Sequence, residues 1–290
     1  MRRALEQITR AIGGHCERGR EEIMEYVQFG VTEFKVSRLS LGCMSMSWAC
    51  GPAASGNRSG STPEYLTQNC EQSVKRLGID CLDFFCMSRV DPEIAVEESV
   101  GAMARLVERG LTRYIGLSEA SANSIRRARK VHPIATLQME YSLWSRDPEG
   151  GNIQACREFN MGFMAYSPLG RGFFAGVVHD LKDMSDGDGR INHPRFQPGN
   201  IEKNVRLLAQ FEEMARGKDA TPAQLALAWL LAQGNDIIPI PSSKSRGHLE
   251  ENIKSIEIKL SKEDLARLDA IFQPGAAAGT RSRDMHRVNV

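Results

Sequence analysis

Apolar runs typical of strands alternate with longer segments of helical spacing along most of this chain, and that alternation limits its fold. The runs begin near residues 39, 82, 114, 135, 163 and 237. The first helical segment shows the pattern well, because Thr62 and Pro63 provide a start signal and Leu66 and Cys70 lie on one face. The alternation predicts a parallel sheet with helical crossovers, and so many successive units favour a barrel over a two-layer sheet.

The number of units is too small for a complete barrel. A (β/α)8 barrel has eight strand–helix units, and six predicted strands are found here. We predict that two strand–helix units are missing at the loop 49–61, whose residues show no periodicity. We therefore predict an α/β fold of the (β/α)8 TIM-barrel type, reduced to about six βα units and preceded by a small β-hairpin. The predicted domains are an N-terminal extension at 1–23, the barrel at 24–274 and a C-terminal tail at 275–290.

Composition excludes several classes of protein. The formal net charge of +1 gives no electrostatic reason to expect nucleic acid or an anionic membrane as a partner. No apolar run is long enough for a membrane helix, and the first residues are too polar for a secretory signal. The seven cysteines form no Cys-x-x-Cys pair, and the six histidines lack metal-ligand spacing and are predicted to be surface or loop residues. We expect a soluble cytoplasmic protein with reduced thiols and no metal.

The stretch from Gly162 to Gly172 is the best candidate for a binding site. It begins as a buried strand that stops at Ser167-Pro168, since proline cannot donate to a strand ladder. Its glycines permit close approach of the backbone to a ligand, and Arg171 suits a phosphate. The simpler interpretation is a strand followed by a tight turn.

Seven sequence blocks together resemble the aldo-keto reductases of the bacterial and plant type, which act on small carbonyl compounds. The resemblance runs from about Met24 to the end of the chain. It implies NADPH/NADP as the cofactor. The blocks are LGCMSMS at 41–47, SVKRLGIDCLDFF at 73–85, RYIGLSEAS at 113–121, LQMEYSLWSRD at 137–147, AYSPLGRGFF at 165–174, TPAQLALAWLLAQG at 221–234 and IPIPSSKSRGHLEEN at 238–252.

The resemblance implies a nearly complete set of cofactor-binding residues. These are Ser118 and Gln138 for the nicotinamide carboxamide, Tyr166 for stacking on the nicotinamide ring, Ser167, Leu169, Gly170 and Arg171 for the pyrophosphate, and Lys244, Arg246, Glu251 and Asn252 for the adenosine 2′-phosphate and adenine. Two simpler alternatives remain open. The polar pair at the strand ends could satisfy local backbone, and the basic pair could be a solvated face. Ser245 separates the two basic residues, Lys244 and Arg246, whereas in the family the two basic residues are usually adjacent in the sequence.

The catalytic residues implied by the resemblance do not match. The family reduces a carbonyl with a tyrosine acid, a lysine paired to an aspartate, and a histidine that orients the carbonyl oxygen. Ser88 occupies the histidine position, Cys50 precedes Gly-Pro where the tyrosine is expected, and the blocks for the aspartate and lysine are absent. Turnover of a small carbonyl substrate is therefore expected to be severely impaired.

Three hypotheses follow from this mismatch. The chain is a weakened or rebuilt reductase, a non-catalytic NADPH-binding pseudoenzyme that serves as a sensor or partner subunit, or a truncated reductase product. Loss of two units exposes the edges of the strands near 39 and 82. These strands would pair directly with each other, or the chain would self-associate by borrowing strands from a second copy.

Overall fold

A parallel five-stranded sheet organises the structure. The computed structural model describes residues 24–43 and 60–290, except for residues 177, 179–181, 183 and 185–187. The sheet has its strands in sequence order, which confirms five of the predicted strands. They are β3 (Leu82–Met87), β4 (Thr112–Ser118), β5 (Thr136–Glu140), β6 (Gly162–Tyr166) and β7 (Ile237–Pro239).

Several helices begin at a residue whose side chain caps them. Thr62 accepts a hydrogen bond from the Tyr65 amide at the first helix, and Thr221 forms a reciprocal capping box with Gln224 at the sixth. The helices are α1 (Pro63–Leu77), α2 (Val96–Glu108), α3 (Ala122–Arg129), α4 (Asn152–Glu158), α5 (Ile201–Gly217), α6 (Pro222–Leu231), α7 (Arg246–Ile253) and α8 (Lys262–Ile271). No helix within the described ranges is long and apolar enough to cross a membrane.

The predicted hairpin is confirmed and packs against the sheet. Its strands β1 (Tyr26–Gln28) and β2 (Lys35–Ser37) are antiparallel. Phe29, between them, meets Phe84 of β3 edge-on at 5.5 Å between ring centroids, and Phe84 stacks on Tyr114 of β4 at 5.5 Å. These aromatic contacts attach the hairpin to the first two strands of the sheet.

The segment at 39–43 runs beside β7 without being a regular strand. The Ser40 amide donates to the Pro239 carbonyl at 3.0 Å, and the Gly42 amide donates to the Pro241 carbonyl at 2.9 Å. The predicted strand near residue 39 therefore lies next to the last strand of the sheet, while β3 lies at the opposite edge. Most of the loop at 49–61 and the whole extension at 1–23 lie outside the described residues.

The two faces of the sheet differ in burial. Alternate residues such as Phe85, Leu117 and Phe163 are buried in the apolar core shared with the helices. Of the intervening residues, Cys86 and Gln138 are only partly buried, whereas Ser118 and Glu140 are buried. Since side chains alternate across a strand, the face away from the helices is the one that remains partly open to solvent.

Candidate functional site

The carboxyl ends of β4, β5 and β6 bring the predicted polar residues together. Ser118 is the register partner of Gln138, and Glu140 is the register partner of Tyr166. The Glu119 amide donates to the Gln138 carbonyl at 3.0 Å, which extends the ladder by one residue. The three residues predicted for a nicotinamide thus lie at one end of three adjacent strands, the usual ligand position in parallel sheets.

Ser118 is buried and its hydroxyl contacts a cation. The Arg89 guanidinium donates to the Ser118 hydroxyl at 3.3 Å and to the Ser88 carbonyl at 2.6 Å. Ser88, at the predicted histidine position, is exposed at the end of β3. The Arg89 guanidinium therefore links the backbone of Ser88 to the hydroxyl of Ser118.

The hydroxyl of Tyr166 donates to a buried carboxylate. Its acceptor is Glu119 Oε1 at 2.7 Å. Burial raises the pKa of Tyr166, and the negative charge of Glu119 raises it further. Tyr166 is therefore a neutral phenol whose proton is engaged by Glu119.

Four residues of the loop after β6 have a left-handed backbone conformation. Ser167, Gly170, Arg171 and Gly172 have φ angles of 50, 56, 59 and 90 degrees. A Cβ on Gly170 would lie 2.7 Å from Nε1 of Trp144, so the loop rests directly on this indole. Left-handed turns of this kind expose backbone amides to an anion.

Arg171 is engaged with a carboxylate of the site. Its Nη2 lies 3.1 Å from Oε2 of Glu140, which is buried, while the arginine side chain is 29% exposed. The sequence suggested that Arg171 meets a phosphate, and the structure places it at the predicted loop but in an ion pair. Its role toward phosphate remains a prediction.

The residues predicted for the adenosine end lie at and within α7. Lys244 and Arg246 are exposed on either side of Ser245, which caps the helix. Arg246 pairs with Glu250 at 2.8 Å. Asn252 is buried, and the carbonyl of Glu251 accepts a hydrogen bond from Gln224 Nε2 at 3.1 Å.

A buried ionic network was not predicted from the sequence. Arg281, in the C-terminal tail, pairs with Glu119 at 2.8 Å, and the two side chains are 2% and 0% exposed. Arg195 lies 3.6 Å from Glu140 and donates to the hydroxyl of Ser145. The tail sequence has no apolar periodicity, so nothing in the sequence pointed to a buried arginine there.

Two side chains near the site are buried. Tyr141 packs against Phe163 and Trp229 in the core, and its hydroxyl donates to Glu149 at 2.9 Å. His193 lies in a loop as expected but is only 8% exposed. Burial, assisted by Arg171, lowers the pKa of His193 to about 4. Cys50 lies outside the described residues.

Comparison with known proteins identifies the family. The model of the aldo/keto reductase family matches residues 34–273. The chain belongs to the aldo/keto reductase family. A probable aldo-keto reductase 1 of Glycine max is 45% identical over 222 residues, which are 76% of this chain. The chain spans 63% of the length of that relative.

Solved structures show the same fold. A thermostable aldo-keto reductase, Tm1743, in complex with the inhibitor epalrestat, is 25% identical with a TM-score of 0.66, over 86% of this chain and 100% of that one. An aldo-keto reductase from Klebsiella pneumoniae in complex with NADPH is 27% identical with a TM-score of 0.58, over 79% and 70%. A glycerol dehydrogenase from Gluconobacter oxydans is 20% identical with a TM-score of 0.74, over 85% and 94%. This last likeness is one of fold alone.

Proposed function

We propose that this aldo/keto reductase family chain binds NADPH at the carboxyl end of its sheet and turns over carbonyl compounds only weakly. The observation that carries the proposal is the grouping of Ser118, Gln138 and Tyr166 on three adjacent strands. A relative from Klebsiella pneumoniae with the same fold has been solved in complex with NADPH, which supports the same assignment here.

The residues present suit such a cofactor. Ser118 and Gln138 would hold the nicotinamide carboxamide, and the ring of Tyr166 would support its face. The left-handed loop at 167–172, with Ser167, Leu169, Gly170 and Arg171, would lie against the pyrophosphate. The amides of Gly170 and Gly172 donate within the loop, to the carbonyls of Ser167 and Leu169, and keep it in this shape. Lys244 and Arg246, beside the start of α7, would meet the 2′-phosphate, with Glu251 and Asn252 at the adenine. When bound, the nicotinamide would supply the hydride for carbonyl reduction.

The proton donor is the missing part. Between Gly42 and Thr62 the sequence contains no Asp, Tyr, Lys or His. The Tyr166 hydroxyl is held by Glu119 and that of Tyr141 by Glu149, and burial raises the pKa of both, so we take neither phenol as a replacement for the acid of the family. The Cys86 thiol is equally unsuitable, since burial raises its pKa to about 12. General acid catalysis contributes about 10²–10⁴-fold, so its loss should make turnover slow even with cofactor bound.

The proposal includes a reduced barrel. The segment at 39–43 and β3 form the two sides of the described sheet, and these are the positions between which two βα units of a (β/α)8 barrel would stand. We propose six units, with self-association through the sheet edges as one way to cover them. A truncated reductase product is consistent with the 63% coverage of the Glycine max relative. A cytoplasmic location and a small carbonyl substrate belong to the same proposal.

Binding is tested with a pair of serine variants. Ser118→Ala should weaken NADPH binding by about 1 kcal/mol, because it removes one hydrogen-bonding group from the carboxamide site. Ser99 provides the control, since it is also a buried serine and its hydroxyl donates to the Ser61 carbonyl at 2.6 Å in the α2 region. Ser99→Ala should leave NADPH affinity unchanged in calorimetric titration. Equal affinities for the two variants would contradict the assignment of Ser118.

Turnover is tested separately. Consumption of NADPH, followed by its absorbance with a panel of aldehydes, should be orders of magnitude slower than for an intact family member measured beside it. Rates comparable with those of the intact enzyme would show that an acid has been overlooked, without affecting the binding assignment.

A further inference from the structure

The C-terminal tail reaches the centre of the candidate site. Arg281 lies beyond the part of the chain that matches the family model, which ends at residue 273. Its side chain is nevertheless 2% exposed, and both terminal nitrogens donate to Glu119, at 3.0 and 2.8 Å. A bidentate guanidinium–carboxylate pair at this burial fixes both partners in one geometry.

Glu119 in turn holds Tyr166. Its Oε1 accepts from the Tyr166 hydroxyl at 2.7 Å and from the Glu140 amide at 3.0 Å, besides Arg281. Its backbone is left-handed, with φ of 57 degrees, an arrangement that is uncommon outside glycine and that clusters at functional sites. Burial alone would raise the pKa of Glu119, but the hydrogen bonds and charge of Arg281 outweigh it and lower that pKa. The acceptor is therefore ionised and well able to hold the phenol.

The tail is anchored at several points besides this pair. The Val290 amide donates to the Glu119 carbonyl at 3.2 Å, and Asn152 Nδ2 donates to Asn289 Oδ1 at 2.9 Å. The carbonyl of Arg281 accepts from His193 Nε2 at 3.0 Å. These contacts leave Arg281 little freedom, so the position of Glu119 follows from the fold of the tail.

We propose that Arg281 is a positioning residue that acts through Glu119 to fix the ring of Tyr166 for the nicotinamide. The inference rests on the proposed binding of NADPH and extends it to the C-terminal tail. A ring held by its hydroxyl cannot swing about its χ angles, so the bound cofactor meets a surface that is already in place. The tail is thereby part of the cofactor site.

The test is a double-mutant cycle on NADPH affinity. Tyr166→Phe keeps the ring and removes its link to Glu119, and it should weaken NADPH binding about tenfold in calorimetry. Arg281→Met should weaken it by a similar factor in the wild type but add no further loss in the Tyr166→Phe background. Affinity unchanged in Tyr166→Phe, or effects that multiply in the double variant, would overturn the proposal.

A control separates positioning from general destabilisation. Arg146 is a second arginine with low exposure, paired with Glu149 and Asp269 at 2.7 Å each. Arg146→Met should lower thermal stability without changing NADPH affinity, whereas Arg281→Met should change both. If Arg281→Met does not fold, Arg281→Lys keeps the charge but not the bidentate contact, and should bind NADPH at an affinity between those of the wild type and Tyr166→Phe.

A readout without cofactor distinguishes this inference from the binding proposal. The near-ultraviolet circular dichroism of the wild type minus that of Tyr166→Phe gives the signal of the held ring. That difference should shrink in the Arg281→Met background and persist in the Arg146→Met background. Persistence in both would overturn the positioning role. A wild type that shows this dependence but does not bind NADPH would refute only the proposed function, leaving Arg281 as the residue that orients Tyr166.

Discussion

The contact between the loop after β6 and Trp144 gives a prediction whose size can be worked out. Gly170 has a φ of 56 degrees, and an added Cβ would lie 2.7 Å from Nε1 and 2.8 Å from Cε2 of the Trp144 ring. Alanine in a left-handed conformation costs about 1–2 kcal/mol. Overpacking against a ring adds about 1–3 kcal/mol. The ring has little room to retreat, because it stacks on Phe173 with 4.0 Å between centroids.

Gly176 supplies a matched control for this perturbation. It is also left-handed, with φ of 69 degrees, but a Cβ there would have nothing within 4 Å. Gly176→Ala should therefore show the backbone cost alone, and Gly170→Ala should be less stable than Gly176→Ala by about 1–3 kcal/mol.

The assay is urea unfolding of the two variants and the wild type, followed by fluorescence and circular dichroism, with stability taken from the midpoints at a common slope. NADPH titration of the same samples adds the functional readout, and Gly170→Ala should bind NADPH more weakly than Gly176→Ala because the loop proposed for the pyrophosphate is displaced. Equal unfolding midpoints for the two variants would refute the argument that the loop rests on Trp144.

Three further predictions concern single side chains. Arg171→Ala should weaken NADPH binding by roughly 1.5–3 kcal/mol if its guanidinium meets a phosphate; unchanged affinity in titration would confine Arg171 to its pair with Glu140. The pKa of His193 is lowered to about 4 from an ordinary 6.5, so the unfolded chain binds more protons and stability should fall as pH drops from about 6.5 toward 4. In His193→Gln that fall, measured as the urea midpoint against pH, should be smaller, and an identical pH profile would disprove it. Tyr141→Phe should lower the free energy of unfolding by about 1 kcal/mol, through the lost bond to Glu149, and leave NADPH affinity unaltered; a weakened affinity would show that Tyr141 contributes to the site.

The order of strands and helices was predictable because it depends on local patterns. The apolar runs and the caps at Thr62 and Thr221 are recognised from residues that are close together in the sequence. The structure has helices that begin directly after both caps. The grouping of Ser118 and Gln138 also followed, since residues that end neighbouring parallel strands meet at one edge.

What the sequence could not supply depends on contacts between distant residues. Arg281 and Glu119 are separated by 162 positions, and an arginine in an unpatterned tail is ordinarily expected in solvent. The burial of Tyr141 was unpredictable for a related reason. It follows a polar strand end in the sequence, but the chain turns at that point and directs the ring into the core beside Trp229. The pattern of apolar and polar residues along the sequence does not predict such a turn.

Calorimetric titration of the purified chain with NADPH, and with NADH beside it, tests the central claim most directly. We predict saturable binding of one NADPH per chain, tighter than that of NADH, because the basic residues around the start of α7 would contact the 2′-phosphate. Absence of saturable heat with either dinucleotide would contradict it and would show that the polar ends of β4, β5 and β6 no longer hold a cofactor.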